Sequence, residues 1–196
     1  GPSLTFQAPT TIALGGADMN AQFNGDAAPL YMPVTVKKGD TLVLGAAISG
    51  ARCYIAIAGG VAGDDFLGSV STYAPASFGG LEGRALQAGD IVQVAGAKTD
   101  APRDIPHSIQ PMLTHEFFLR AIPGPESGVL SSESMKRFFS SRWTSGRRAD
   151  RMGLQLDGQS LSFADDTGQT ASMASSPVFP GTVQCPPDGS PFLLGC

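Results

Sequence analysis

One device appears twice in this chain and limits what it can fold into. Lys37-Lys38-Gly39-Asp40 runs into Thr41-Leu42-Val43-Leu44, and Gln87-Ala88-Gly89-Asp90 runs into Ile91-Val92-Gln93-Val94. Glycine frees the backbone for a tight turn, aspartate bonds the backbone locally, and the aliphatic residues that follow are too few for a helix. Each copy predicts a turn feeding a strand. Between them lie an apolar strand, Cys53-Tyr54-Ile55-Ala56-Ile57-Ala58, and two glycine-rich runs, 59–73 and 78–84. Such runs either converge backbone N–H groups on an anion or carbonyl oxygen, or merely connect strands irregularly.

The rest of the chain supports a mainly β reading. Charged residues are only 15%, and 25 glycines and 15 prolines stand among 196 residues, so turns are many and long solvated helices few. Residues 3–14 predict an interrupted strand pair or an edge, and Gly15-Gly16-Ala17-Asp18-Met19 is expected to break that pattern. Asn24-Gly25-Asp26 predicts a turn, and Pro29 to Val36 a proline-interrupted strand. Pro102, Pro106 and Pro111 mark a linker over 101–112, between a first β-rich unit at 1–100 and a second at 113–196. In the second unit Glu116 to Ile122 predicts a strand. Ser131 to Ser141 predicts a short helix capped by Ser131 or Ser132, with Met135, Phe138 and Phe139 on one side. Phe179 to Leu194 reads as a hairpin turning at Pro186-Pro187-Asp188-Gly189.

The residues themselves exclude several chemistries. A net charge of −4 and no basic run longer than Arg147-Arg148 argue against nucleic acid. No apolar run approaches the roughly 20 residues of a membrane helix, and three scattered cysteines suit a reducing compartment, so the expectation is a cytoplasmic protein. No phosphate loop, zinc-protease spacing or Gly-x-Ser-x-Gly elbow occurs, and His107 and His115 fit no metal pattern. Cys185 reads as a small packed group, and Asp64-Asp65 as an exposed loop pair. Arginine forks suit a carboxylate or phosphate, but taken alone Arg147, Arg148 and Arg151 read first as a solvated face, or Arg151 as paired to Asp150 or Asp157.

Five blocks in order carry a resemblance. They are Gly15 to Met19; Arg52 to Gly60 with Leu67 to Tyr73; Gly80 to Asp90; Asp150-Arg151-Met152-Gly153-Leu154-Gln155-Leu156-Asp157-Gly158; and Gln184-Cys185-Pro186-Pro187-Asp188-Gly189-Ser190-Pro191. Together they resemble the biotin-dependent carboxyltransferase family, which takes in allophanate hydrolase subunit 2 and one of the 5-oxoprolinase subunits. The resemblance implies two cyclophilin-like β-barrel units with few short helices. It also implies an internal piece, since the family continues upstream and downstream and a Thr-Thr-Gly-Gly-Tyr-Pro-like block usually follows the last hairpin. Two positions depart from the family pattern: Val70 stands where arginine is usual, and Ala149 where serine is frequent.

The implied activity is part of an ATP-dependent 5-oxoprolinase complex that opens 5-oxoproline to glutamate. The alternatives are a domain moving a carboxyl group from carboxybiotin to urea, and a non-catalytic partner of a kinase inhibitor. A prolyl isomerase would follow from barrel architecture alone, and no motif supports it. Both enzymatic readings handle an amide, need donors for its carbonyl oxygen and a carboxylate to orient or accept a proton. The resemblance therefore points to Asp188 and Arg151 as catalytic, and to Ser69, Ser71, Gly79, Gly80, Arg84 and Gln184 as substrate-binding, with Arg84 and Arg151 holding an anionic group. ATP belongs to the complex or carboxybiotin to the alternative, with no cofactor and no metal held by this chain. Partner subunits and a small amide or lactam are the expected company.

Overall fold

The computed structural model describes residues 1–96, 101–164 and 176–195. Two compact units divide the chain, Gly1–Phe117 and Phe118–Cys196. The first begins with strands β1 (Ser3–Thr5), β2 (Thr10–Asp18), β3 (Gln22–Phe23), β4 (Asp26–Ala27), β5 (Pro33–Val36), β6 (Thr41–Val43) and β7 (Ser49–Ile57). They form two antiparallel sheets, ordered β1-β6-β3-β4 and β5-β2-β7. Alternation along β2 turns Ile12 and Leu14 inward, where they meet Ala21, Val36, Leu42 and Leu44 in the core. Leu4, Phe6, Phe23, Val34, Ile55 and Ile57 pack around that cluster. Asn24 and Gly25, at φ +52° and +92°, make the predicted turn between β3 and β4.

The expected break at Gly15–Met19 does not occur, because β2 runs on to Asp18 along β7. The register slips between Gly16 and Asp18, so the irregularity is absorbed as a bulge. Gly16 permits this at φ +82°, where a Cβ would overlap the Arg52 carbonyl oxygen. Tyr31 secures the bulge. Its hydroxyl donates to the Gly16 carbonyl oxygen at 3.0 Å and accepts from the Gly16 N–H at 3.2 Å. Tyr31 itself sits at φ +62°, an uncommon conformation for a bulky side chain. Nor are β1 and β2 partners of one another: β1 lies at the edge of its sheet and β2 at the centre of the other.

The second unit contains helix α1 (Ser132–Ser140) and strands β8 (Thr144–Ala149), β9 (Gly153–Asp157), β10 (Val183–Gln184) and β11 (Phe192–Leu194). The sheet order is β10-β11-β9-β8, antiparallel throughout. Ser131 caps α1 as predicted, its hydroxyl accepting from the Ser134 N–H at 3.1 Å. Of the apolar side expected on α1, Phe139 is half exposed, and the buried residue of the helix is Ser134. The Ser134 hydroxyl accepts from the Ser162 N–H at 2.8 Å, which ties α1 to the segment before the undescribed residues 165–175. β10 and β11 form the predicted hairpin, with Gly189 at φ +76° in its turn.

Mainly β structure, with one α-helix among the described residues, is what the sequence predicts. The three sheets among the described residues are open, since no strand order returns to its first member. The strand expected over Glu116–Ile122 is absent, because no neighbouring strand pairs with it among the described residues. Phe118 there is fully exposed and Ile122 is 88% exposed.

Candidate functional site

The glycine-rich runs of the first unit fold onto one another through isolated bridges between Val61 and Val94, Asp64 and Gly80, Phe66 and Ser69, and Tyr73 and Phe78. Phe66-Leu67-Gly68-Ser69 is a two-residue hairpin, with Leu67 at φ +54° and Gly68 at φ +80°. Asp65 accepts the Gly68 N–H on its carboxylate, and Asp64 donates its N–H to the Gly80 carbonyl oxygen at 2.7 Å. The adjacent aspartates are therefore both part of the loop framework. Next to Asp65 in the chain, Phe66 stacks on Phe78, centroids 4.1 Å apart, and Tyr73 tilts against the same ring.

Four predicted site residues come together on this frame. The Ser69 hydroxyl accepts the Ser71 N–H at 3.2 Å. Gly79, at φ +72°, lies so close to Ser71 that a Cβ would overlap the Ser71 carbonyl oxygen, and one on Gly80 would overlap the Thr72 hydroxyl. Ser69 and Ser71 are exposed and Gly79 is buried. The loop thus presents two serine side chains over a backbone that only glycine can supply.

Arg84, expected to hold an anionic group, is bonded to carboxylates of its own chain. Its guanidinium donates two parallel bonds to the Asp90 carboxylate, at 2.7 and 3.0 Å, a third to Glu82 at 3.1 Å, and a fourth to the Ala85 carbonyl oxygen. The Asp90 acceptor belongs to the second Gly-Asp turn, whose Gln87 N–H it also accepts at 2.7 Å. The first turn is built identically: Asp40 accepts the Lys37 N–H at 2.7 Å, and Gly39 lies at φ +93° against +94° for Gly89. There the second carboxylate oxygen holds Asn24 instead of an arginine.

Those contacts fix the charge states. Hydrogen bonds from Arg84, then from the Gln87 N–H, lower the Asp90 pKa to about 2, and the same pairing raises that of Arg84. The Lys37 N–H, then Asn24, lower that of Asp40. A carboxylate depressed in the folded state contributes stability that is full above its unfolded pKa of about 3.9 and is lost as pH falls through the folded value. The Asp90 carboxyl carbon, followed by NMR, is therefore expected to titrate with its midpoint near pH 2. A midpoint near the ordinary carboxylate value would contradict the clasp.

In the second unit Arg151 lies in the turn from β8 to β9, where the Asp150 carboxylate accepts the N–H groups of Met152 and Gly153 at 2.8 and 3.2 Å. Beyond the C-terminal end of β11, Gly195 donates to the Met152 carbonyl oxygen, beside Arg151. Asp188 stands before the other end of β11, its carboxylate accepting the Ser190 N–H at 2.9 Å. Gln184 is exposed on β10 opposite Phe192. The sheet thus sets Arg151 and Asp188 at opposite ends of one strand. A cleft of about 140 Å³ opens beside the Asp188 turn, lined by Asp157, Gly158, Ser160, Gly189 and Ser190. Asp157 and Ser160 lie outside the predicted set, although the Asp157-Gly158 turn signal marks their position.

A family model described as carboxyltransferase domain, subdomain A and B, matches residues 1–196. The chain belongs to the carboxyltransferase domain family. A urea amidolyase of Saccharomyces cerevisiae is 32% identical over 185 residues, covering 90% of this chain and 10% of that protein. A 5-oxoprolinase subunit of Escherichia coli is 32% identical over 192 residues, covering 98% of this chain and 60% of the relative. The chain thus spans only part of the length of either relative. Among solved structures, the Kluyveromyces lactis urea amidolyase superposes with a TM-score of 0.85 at 28% identity, covering all of this chain and 13% of that one. The urea carboxylase of the same yeast gives 0.84 at 27% identity, covering all of this chain and 19% of that one.

In this member of the carboxyltransferase domain family the two cysteines described are partly buried, and burial raises both thiol pKa values, with Asp188 adding to the effect at Cys185. That environment suits packing rather than nucleophilic attack. Among the described residues no group of three or more His, Cys, Asp or Glu is placed to hold a metal ion. No helix among them is long and apolar enough to cross a membrane.

Proposed function

We propose that this chain is part of a 5-oxoprolinase subunit, acting with partner subunits to open the lactam of 5-oxoproline to glutamate at the expense of ATP. The observation that carries this reading is the alignment with the Escherichia coli 5-oxoprolinase subunit, which takes in nearly the whole chain and 60% of the relative. Ser69 and Ser71, with the Gly79–Gly80 backbone beside them, supply hydrogen-bond donors to a lactam carbonyl oxygen as charge develops on it. Within the second unit, taken by itself, Asp188 is the carboxylate read as orienting or accepting a proton. ATP is assigned to the complex: Arg84, the arginine of the glycine loop, is already held by two carboxylates, so these residues do not fit a phosphate cradle.

A second reading has its own support. The fit to the urea amidolyase and urea carboxylase structures favours transfer of a carboxyl group from carboxybiotin to urea, again at an amide nitrogen and carbonyl. One experiment separates the two. The full-length protein, co-expressed with its partner subunits, is expected to release glutamate from 5-oxoproline in an ATP-dependent manner, with about hundredfold lower kcat in Asp188→Asn. Urea-dependent ATP turnover without glutamate release would transfer the assignment to the second reading. Neither activity in a folded complex would sink both.

A further inference from the structure

We infer that Asp90 is a positioning residue for the glycine loop: it holds Arg84 as a strut across the loop, so that Arg84 shapes the site without binding the substrate itself. The inference rests on the amide-handling site of the proposed function, but its geometric part stands alone.

Every nitrogen of the Arg84 guanidinium has a protein partner, and the pair with Asp90 is bidentate, the geometry in which an arginine fork is most strongly held. The pair is also sheltered, with side chains 32% and 17% exposed. An incoming carboxylate or phosphate would have to displace two carboxylates that are already in place. The strut has something to hold. Residues 79–84 form a tight loop in which the Gly79 carbonyl oxygen accepts the Gly83 N–H at 3.0 Å and the Leu81 oxygen accepts that of Arg84 at 3.3 Å. Glu82 lies in this loop at φ +55°, a conformation that costs a non-glycine residue energy, and its carboxylate is one of the groups on Arg84.

The strut also reaches a second segment. Asp90 closes the Gln87–Asp90 turn, and the chain beyond it returns to the glycine run, where the Gln93 carbonyl oxygen accepts the Ala62 N–H at 2.8 Å and Ala95 donates to the Gly60 oxygen at 2.9 Å. Arg84 and Asp90 therefore couple the loop carrying Gly79 and Gly80 to the segment bracing residues 60–62. In the first Gly-Asp turn the same carboxylate position holds a neutral Asn24. The duplicated turn has one scaffold and two different occupants, and the charged occupant stands beside the candidate site.

The variants Asp90→Asn, Arg84→Gln, Arg84→Lys and the double Asp90→Asn/Arg84→Gln separate a strut from an anion holder. Asparagine keeps an acceptor for the Gln87 N–H, so the turn survives while the charge is removed. In the full-length protein, hydrogen exchange over residues 79–84 is expected to quicken by about tenfold in Asp90→Asn and in Arg84→Gln, with the double variant no faster than either. Arg84→Lys, which keeps the charge and loses the fork, is expected to fall between. In the active complex the singles lower kcat/KM by equal factors, again without further loss in the double. The inference is overturned if Asp90→Asn, which removes the charged bidentate partner of Arg84, keeps or improves KM while Arg84→Gln alone raises it. Unchanged exchange in both single variants overturns it as well, whether or not the complex turns over 5-oxoproline.

Discussion

Gly79→Ala is expected to destabilise the first unit's glycine loop far more than Gly89→Ala, although both glycines have left-handed backbones. At Gly89, φ +94°, a Cβ would meet nothing within 4 Å, so the cost is conformational alone, about 1 kcal/mol. At Gly79, φ +72°, the same conformational cost is joined by overlap of the Cβ with the Ser71 carbonyl oxygen, a backbone atom that no rotamer change can remove. Backbone displacement of that kind adds roughly 1–3 kcal/mol, giving a total of about 2–4 kcal/mol. Urea unfolding of the two variants measures the difference, and hydrogen exchange locates it in residues 71–84. Equal costs would mean that the loop relaxes freely around Gly79, and its serines would then have no fixed frame. On the function proposed above, Gly79→Ala is expected to abolish activity while Gly89→Ala spares most of it.

The same contrast explains what could be read from the sequence. Both Gly-Asp turns were legible, because turn chemistry is local: a glycine at positive φ and an aspartate bonding back three residues are encoded within four positions. The cap at Ser131 and the hairpin at Pro186–Gly189 were legible for the same reason. What the two carboxylates hold was not. Asn24 lies 16 residues from Asp40, and Arg84 six from Asp90, and nothing in spacing distinguishes an arginine reserved for a carboxylate from one reserved for a ligand. The resemblance to the carboxyltransferase family brought Ser69, Ser71, Gly79 and Gly80 into view as a group, and the bridges between residues 61 and 94 give that group its frame. Its assignment of Arg84 to an anion falls on an arginine already bonded to Asp90 and Glu82.

Strand prediction failed where pairing, rather than composition, decides. Gly15 and Gly16 look like a break, yet they continue β2 because a neighbouring strand supplies hydrogen bonds and Tyr31 fills the space above them. Residues 116–122 look like a strand but form no strand ladder among the described residues. An apolar alternation states a preference for a ladder and cannot name the partner.

Leu42→Ala tests the other half of that statement. Leu42 is the second residue after Asp40, it pairs with Leu4 on β1 and Phe23 on β3, and it is fully buried among Ile12, Leu14, Val36 and Leu44. Truncating a leucine enclosed on every side costs about 2–5 kcal/mol, because the transfer energy of the removed atoms is lost and a cavity is left in their place. Val92 holds the equivalent position after Asp90, but it lies in no strand and is 39% exposed. Val92→Ala is therefore expected to change stability by less than about 1 kcal/mol. Two identical turns would then launch segments that differ severalfold in their contribution, measured by urea unfolding of otherwise identical proteins. Equal losses would show that the second turn also feeds a packed strand, and would move the glycine loop from the surface of the unit into its core. A large difference means that the first turn anchors the fold, leaving the second, with Arg84 on its aspartate, to shape the candidate site.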